Sequence, residues 1–365
     1  MKQTVEAGKT LLVNGPASVK VLSGKAEIFG YYIKESQSAI VREGKRLPFF
    51  VVEKAEFDLS LGPNVAVQEA DGSTIPASWN EQIQTISSIQ KKPAIIMIVG
   101  KVDSGKSSFS TYLVNKLIDG KSKVAVLDGD LGQSDIGPPS TVAYALTTRR
   151  VTELYELKVS NAYFVGVTSP FQAITRTVEG LVTMEKEILE KAAVDYLIIN
   201  TDGWVEGEAA VGYKLQLISQ LKPDLVVGIQ SQEELKPLLS SIITVPTRAV
   251  EASVAVSERN MEKRTRLREL SYAKYLKDAK VRSLFMSYLE VQERSAIPKE
   301  VGKEKGLLVG LRNSRKRFLG IGILLEFNRA KRILKVLTPV RSKPASITIG
   351  KVKLDPELRE ETLKD

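Results

Sequence analysis

The feature that most constrains this chain is the octapeptide Gly100-Lys101-Val102-Asp103-Ser104-Gly105-Lys106-Ser107, which fits G-x-x-x-x-G-K-[ST]. The motif needs a buried strand before it and a helix after it, and the chain supplies both. Ala94 to Val99 is an unbroken apolar run, and Lys106 to Ile118 carries a helical period. In that frame the glycines let the loop wrap closely around phosphates, while main-chain N–H groups and the helix N-terminus point at the anion. The expected ligand is ATP, contacted by residues Gly100 to Ser107 and by Ser108. Lys106 is expected to reach the β- and γ-phosphates and Ser107 to hold Mg²⁺.

Around the motif, apolar runs alternate with helical periods, the sign of βα units and a parallel sheet. Strands are expected at Ala94 to Val99, Lys123 to Leu127, Ala162 to Val167, Tyr196 to Asn200, Leu225 to Ile229 and Ser241 to Val245. Helices are expected at Lys106 to Ile118, Phe171 to Lys191, Ala209 to Leu221, Glu233 to Leu239 and Ser257 to Lys280. The first ninety residues show instead short Val/Ile-rich runs separated by turn chemistry such as Asn14-Gly15-Pro16 and Asp71-Gly72, the pattern of a small antiparallel β domain. A polar stretch from Gln82 to Lys92 reads as a linker. Short β-like runs return after Lys280, at Gly306 to Val309, Phe318 to Leu325 and Arg332 to Leu337. The fold class expected is therefore α/β: a P-loop core with a parallel sheet, flanked by small β-rich domains. The boundaries expected are 1–90, 91–280 and 281–365.

Composition excludes several chemistries. The 365 residues include no cysteine and no histidine, so disulfides, Cys/His zinc sites, cysteine nucleophiles and imidazole catalysis are all absent. Any reaction must run on carboxylates, Lys, Arg and hydroxyls, with or without a hard metal ion. The longest apolar run falls far short of the ~20 residues of a membrane span, and the polar start Met1 to Gly8 does not resemble a secretory signal. No membrane partner and a cytoplasmic location are expected. Lys and Arg number 53 against 43 Asp and Glu, a formal charge of +10 that suits a polyanionic partner, or equally a Lys/Glu-rich surface with no partner at all.

Further polar groups gather at the expected carboxyl edge of the sheet, where open α/β sheets bind ligands. Leu127-Asp128-Gly129-Asp130 places two carboxylates there: one could accept the proton of an attacking hydroxyl and the other bind magnesium through a water, or the segment could be a plain polar turn. Asn200-Thr201-Asp202-Gly203-Trp204 follows another strand, with Trp204 able to stack a nucleobase or to fill the core. Thr168-Ser169-Pro170 adds hydroxyls. In the cluster Arg259, Arg264, Arg266 and Arg268, the second and fourth lie on one helical face and can clamp a phosphoryl group, although charged helix faces are commonly just solvated.

Taken together, Gly100 to Ser107, Asp128-Gly-Asp-Leu-Gly-Gln133, Phe164-Val-Gly-Val-Thr-Ser-Pro170, Asn200-Thr-Asp-Gly-Trp204 and the Arg-rich helix resemble the polyribonucleotide 5′-hydroxyl-kinase family. That family includes the kinase subunit of the pre-mRNA cleavage machinery, a ribosomal-RNA processing kinase and archaeal relatives. The resemblance spans nearly the whole chain. It implies Lys106 and Ser107 at the phosphates and Mg²⁺, Asp130 as base on the 5′-hydroxyl of RNA, and Asp128 assisting at the metal. It also implies Gln133, Thr168, Ser169 and Trp204 at the nucleic-acid end, and Arg264 and Arg268 as a lid. Whether DNA also serves as acceptor is left open under the same reading, as are protein partners.

Two rivals share the loop. A regulatory GTPase would need an Asn/Thr-Lys-x-Asp segment, and the nearest, Leu221-Lys222-Pro223-Asp224, lacks its first residue. An ATP-binding, catalytically silent scaffold of an RNA-processing complex would have no use for Asp130 and the arginines. The basic run Arg312 to Arg317 could touch phosphates, with bracing of the fold as the plainer role.

Overall fold

The computed structural model describes residues 1–118, 122–293 and 304–361. Seven strands open the chain: β1 (Lys2–Val5), β2 (Lys9–Asn14), β3 (Ala17–Ile28), β4 (Tyr31–Ile33), β5 (Ser38–Val41), β6 (Arg46–Leu61) and β7 (Val67–Asp71). They form one antiparallel sheet in the order β4-β3-β6-β2-β7, with β1 on β6 and β5 on β3. Period-two alternation explains it: Val19 and Val21 of β3 are buried while Lys20 between them is exposed.

The stretch expected to be a linker begins instead within a helix, α1 (Ala77–Ser87). Trp79, Gln82 and Ile86 are its buried residues, near-helical spacing hidden among polar neighbours. Trp79 is the anchor. Its indole N–H donates to the Glu251 carbonyl at 2.8 Å, and its ring lies 5.0 Å from that of Phe109 and 5.7 Å from that of Tyr112.

The chain continues through β8 (Ala94–Gly100), α2 (Lys106–Leu117), β9 (Val124–Asp128), β10 (Thr141–Thr147), β11 (Val159–Phe164), α3 (Ile174–Lys191), β12 (Tyr196–Asn200), α4 (Glu208–Leu221), β13 (Leu225–Gln230), α5 (Lys236–Ser241) and β14 (Thr247–Glu251). β8 runs parallel to both β12 and β13, and β13 runs parallel to β14, with Ile198 opposite Ile96 and Val227 opposite Ile98. Every residue of β8 and β12 is buried, as expected of parallel strands covered on both faces. The fold is α/β, with β-rich flanking segments. Three expectations need correcting. The segment Ser241 to Val245 is not a strand: α5 ends at Ser241, and the ladder starts only at Thr247, after Pro246, which has no N–H to donate. The strand at Thr141–Thr147 went unforeseen, and β11 pairs with it antiparallel rather than extending a parallel set. The helix expected from Phe171 starts at Ile174, after a single 3₁₀ turn at Pro170–Gln172.

The remainder comprises α6 (Met261–Tyr275), shorter than the Ser257 to Lys280 expected, and β15 (Lys280–Phe285), β16 (Glu290–Glu293), β17 (Leu307–Arg312), β18 (Phe318–Asn328), β19 (Ile333–Thr338), β20 (Ser346–Leu354) and β21 (Glu360–Glu361). Their sheet order is β15-β19-β18-β17-β20-β16, with β21 on β20, and only the β16–β20 pairing is parallel. One cluster buries Val309, Leu324, Val336 and Ile347; another joins Leu308, Ile321 and Ile323 to Tyr272 and Leu276.

By packing, the chain divides into two compact units. The first holds Met1–Val126, Leu146–Lys158 and Ile188–Asn260; the second holds Leu127–Ala145, Val159–Glu187 and Met261–Asp365. In the first, the wholly buried Asn115 of α2 donates to the carbonyls of Phe29 and Val151 and accepts from the Val151 N–H. Arg150 caps the end of the same helix by donating to the carbonyls of Asn115 and Ile118, each at 2.9 Å, where the helix dipole favours a cation. Among the described residues no helix is long and apolar enough to cross a membrane.

Trp79→Ala should destabilise the first unit by about 3–5 kcal/mol through loss of packing, while Glu81→Ala on the exposed side of α1 should stay within about 0.5 kcal/mol. Equilibrium urea unfolding followed by circular dichroism measures both. Equal stability of the two variants would show that α1 is no anchor.

Candidate active site

In the first unit, β8 delivers the chain into the phosphate-type loop and α2 leaves it at Lys106. Gly100 must lack a side chain, because a Cβ there would stand 2.5 Å from Ser104 Oγ and 2.8 Å from the Ile229 carbonyl oxygen. Gly105, the residue before α2, has φ +97°, a conformation glycine adopts without steric cost. The buried Lys106 donates through Nζ to the carbonyls of Gly100 at 2.9 Å and Lys101 at 2.6 Å, which keeps its ammonium inside the turn. Ser107 and Ser108, half-buried, open the helix, and the Ser107 hydroxyl makes no hydrogen bond among the described residues. Val102 is exposed, and Lys101 pairs with Glu206 at 2.7 Å.

Asp103 sits in the left-handed region at φ +58°. Its carboxylate accepts the Arg259 main-chain N–H at 2.9 Å and Nε–H at 2.7 Å, and an Nη2–H as well. Arg259 therefore lies on the phosphate loop, whereas Arg264 and Arg268 belong to α6. The local pattern placed all of them in one cluster and did not separate them.

The end of β12 reaches the same loop. Thr201 Oγ1 donates to the Ile98 carbonyl at 2.8 Å, and a Cβ on Gly203 would stand 2.5 Å from a Val102 methyl and 2.6 Å from its nitrogen. Asp202 is spent on structure: it accepts from the wholly buried Lys214 ammonium at 2.9 Å, the Tyr213 hydroxyl at 2.9 Å and the Trp204 N–H at 2.9 Å. Trp204 is half-buried and stacks on Tyr213, with ring centres 5.6 Å apart. Asp224, the acid of the defective guanine-type segment, is likewise committed, to the Ile95 N–H at 2.9 Å and Lys91 at 2.8 Å.

In the second unit a turn, not a continuing strand, separates the two carboxylates. Asp128 is wholly buried, and its Oδ2 accepts from the N–H groups of Asp135 at 2.7 Å and Ile136 at 3.2 Å and from the Ser134 hydroxyl at 3.1 Å. Burial first, then the charges of Asp135 and Asp130, push it up to about 7, partly offset by the N–H donors of those same residues. Asp130 is less buried, and its Oδ1 accepts the N–H of Gly132 at 3.0 Å and of Gln133 at 2.8 Å. Gln133 Nε2 in turn donates to the Arg264 carbonyl at 3.0 Å, tying the turn to α6. Thr168 and Ser169 are half-exposed, and a Cβ on Gly132 would stand 2.9 Å from the Thr168 carbonyl oxygen, so the two loops touch.

Arg268 is held by a partner that no motif announced. Its Nε and Nη2 donate to the two carboxylate oxygens of Glu360, both at 2.6 Å. Burial works against the charge of Arg268, but the hydrogen bond and charge of Glu360 outweigh it, with lesser help from Tyr272 and Asp130, so its proton is held more tightly than usual.

A strand, an anion-binding loop with its lysine buried in the turn, and a helix opening on a serine define the class: a P-loop nucleotide-binding protein. Residues 100–278 match the family model of the mRNA cleavage and polyadenylation factor CLP1 P-loop. The polyribonucleotide 5′-hydroxyl-kinase of Pyrococcus furiosus is 30% identical over 303 residues, covering 68% of this chain and 84% of that protein. Polyribonucleotide 5′-hydroxyl-kinase Clp1 of Danio rerio is 24% identical over 290 residues, covering 73% of this chain and 63% of that protein. The solved structure of Clp1p in complex with Pcf11p has the same fold, with TM-score 0.76 at 14% identity over 97% of each chain. The chain belongs to the polyribonucleotide 5′-hydroxyl-kinase family.

A carboxyl group whose pKa is raised by burial binds its proton more tightly folded than unfolded, so its ionisation weakens the fold as pH rises from 3.8 to about 7. Asp128→Asn removes that ionisation. In metal-free buffer, the Tm of the variant should fall less between pH 4 and pH 8 than that of the parent, by about 2 °C or more. Parallel Tm curves would count against a buried charge at this position.

Proposed function

We propose that this chain is an ATP-dependent polynucleotide 5′-hydroxyl kinase that transfers the γ-phosphate of ATP to the 5′-hydroxyl of RNA. The observation that carries the reading is Lys106, intact and enclosed in its loop, in a chain of this family. The acceptor oxygen attacks the γ-phosphorus, the bond from phosphorus to the β–γ bridging oxygen breaks, ADP leaves with that electron pair, and the hydroxyl proton passes to Asp130. Asp130 suits the role because loop N–H groups fix one carboxylate oxygen while the residue stays partly accessible. Lys106 neutralises charge on the β- and γ-oxygens, and α6 contributes Arg264 and Arg268 to the equatorial oxygens.

Among the described residues no group of three or more acidic side chains could hold a metal ion by itself. Mg²⁺ in a kinase is held by one or two protein oxygens together with substrate phosphates. Ser107, whose hydroxyl makes no hydrogen bond to a described residue, would hold it with Asp128 assisting through a water, and the ion would supply charge neutralisation to the β- and γ-phosphates. Gln133, Thr168, Ser169 and Trp204 receive the nucleic-acid end, where the half-buried Trp204 ring is the group suited to stack on a base. A cytoplasmic place of action agrees with a chain lacking cysteine. The guanine-binding alternative loses its acid, since Asp224 braces β8.

Transfer of γ-labelled phosphate from ATP to matched single- and double-stranded RNA and DNA oligonucleotides tests the reading. Lys106→Ala and Asp130→Ala should each lower transfer by at least about 100-fold, the scale of a lost transition-state charge contact for the first and of a lost general base for the second. Near-parental activity in Asp130→Ala removes it from the base role. ATP retained through purification with no label passed to any oligonucleotide supports a scaffold instead.

A further inference from the structure

The tail of the chain contributes a side chain that the scheme above does not use. Glu360 lies in β21, paired with β20, and its carboxylate meets α6. It grips Arg268 fork to fork through Nε and Nη2, and it accepts the hydroxyl of the wholly buried Tyr272 on Oε1 at 3.1 Å. Thr265 Oγ1 takes the same Nη2 at 3.0 Å. The side chains of Arg268 and Glu360 are only 16% and 17% exposed, so this is no solvent-screened surface pair.

The edge that Glu360 occupies matters. A guanidinium offers five N–H groups in a rigid plane, and a carboxylate on the Nε–Nη2 edge fixes that plane without using the Nη1 end. Nη1 makes no hydrogen bond to any described residue. Asp130 is within electrostatic reach of the same guanidinium. A long, flexible arginine is thus held still within electrostatic reach of the group assigned as base.

We propose that Glu360 is a positioning residue for phosphoryl transfer: it holds Arg268 by one edge so that Nη1 is presented to the anionic oxygens that develop as the phosphoryl group moves. The inference rests on the kinase reading. Preorganised donors act on the transition state without reorganising, so loss of the hold should appear in kcat rather than in ATP binding. If Glu360 instead competed with phosphate for Arg268, its removal would speed the reaction.

Glu360→Gln keeps the shape and removes the charge. With a 5′-hydroxyl RNA oligonucleotide, its kcat should fall about tenfold with KM for ATP within about twofold of the parent. In an Arg268→Ala background the same change should add less than about twofold, because its route of action is gone. Guanidinium at a non-denaturing concentration should restore part of the activity of Arg268→Ala, and none of it when Glu360→Gln is also present. Tyr272→Phe, which removes one hydroxyl from the carboxylate and leaves the ring in place, should give a smaller fall in kcat and covers the case in which Glu360→Gln folds poorly. A rise in kcat, equal losses with and without Arg268, or rescue indifferent to Glu360 would each overturn the proposal. If the parent chain phosphorylates the oligonucleotide but Glu360→Gln matches it, this inference alone fails; if the parent passes no phosphate, the kinase reading fails first.

Discussion

A loop that binds an anion with its own amides cannot spend those amides on holding its shape, so the shape must be imposed by its neighbours. Residues 100–107 meet this demand from three directions. Inside the loop, Gly100 lets Ser104 and the Ile229 carbonyl close in, and Lys106 ties down two carbonyls. From β12, Thr201 bonds the strand that carries the loop, and Gly203 lies flat against Val102. From beyond β14, Arg259 takes the carboxylate of Asp103, which offsets the cost of a left-handed aspartate.

The turn after β9 shows how burial assigns different work to like groups. Asp128 and Asp130 are two residues apart, yet one is wholly buried and accepts from loop donors while the other is only half-buried. The buried one shapes the turn, and burial pushes its pKa up; the other stays partly accessible. Gln133 then carries the turn's position to α6 through the Arg264 carbonyl, so the arginines and the carboxylates share a single local frame within the second unit.

What could be read in advance was local. The loop was legible because eight neighbouring residues define it, and β8, β12 and β13 because burial on both faces leaves continuous apolar runs. Helix α1 was not, since its polar residues outnumber the few that anchor it, and the tryptophan that matters bonds to a carbonyl 172 residues away. The Asp103–Arg259 and Arg268–Glu360 pairs span 156 and 92 residues, and no periodicity reports such a distance. Arg259 parts from the α6 arginines only in three dimensions, because spacing alone cannot say where a helix begins.

The Asp202–Lys214 pair has a consequence for how chains of this kind can diverge. The ammonium of Lys214 is wholly enclosed and depends on Asp202 both for its counter-charge and, through the carbonyl, for a second acceptor. Losing either partner strands the other's charge in a dry interior, a cost of about 3–5 kcal/mol, whereas losing both in favour of apolar groups can be nearly neutral. Substitutions at these two positions are therefore coupled in their cost, and so is the peptide beside the nucleotide loop that carries Asp202.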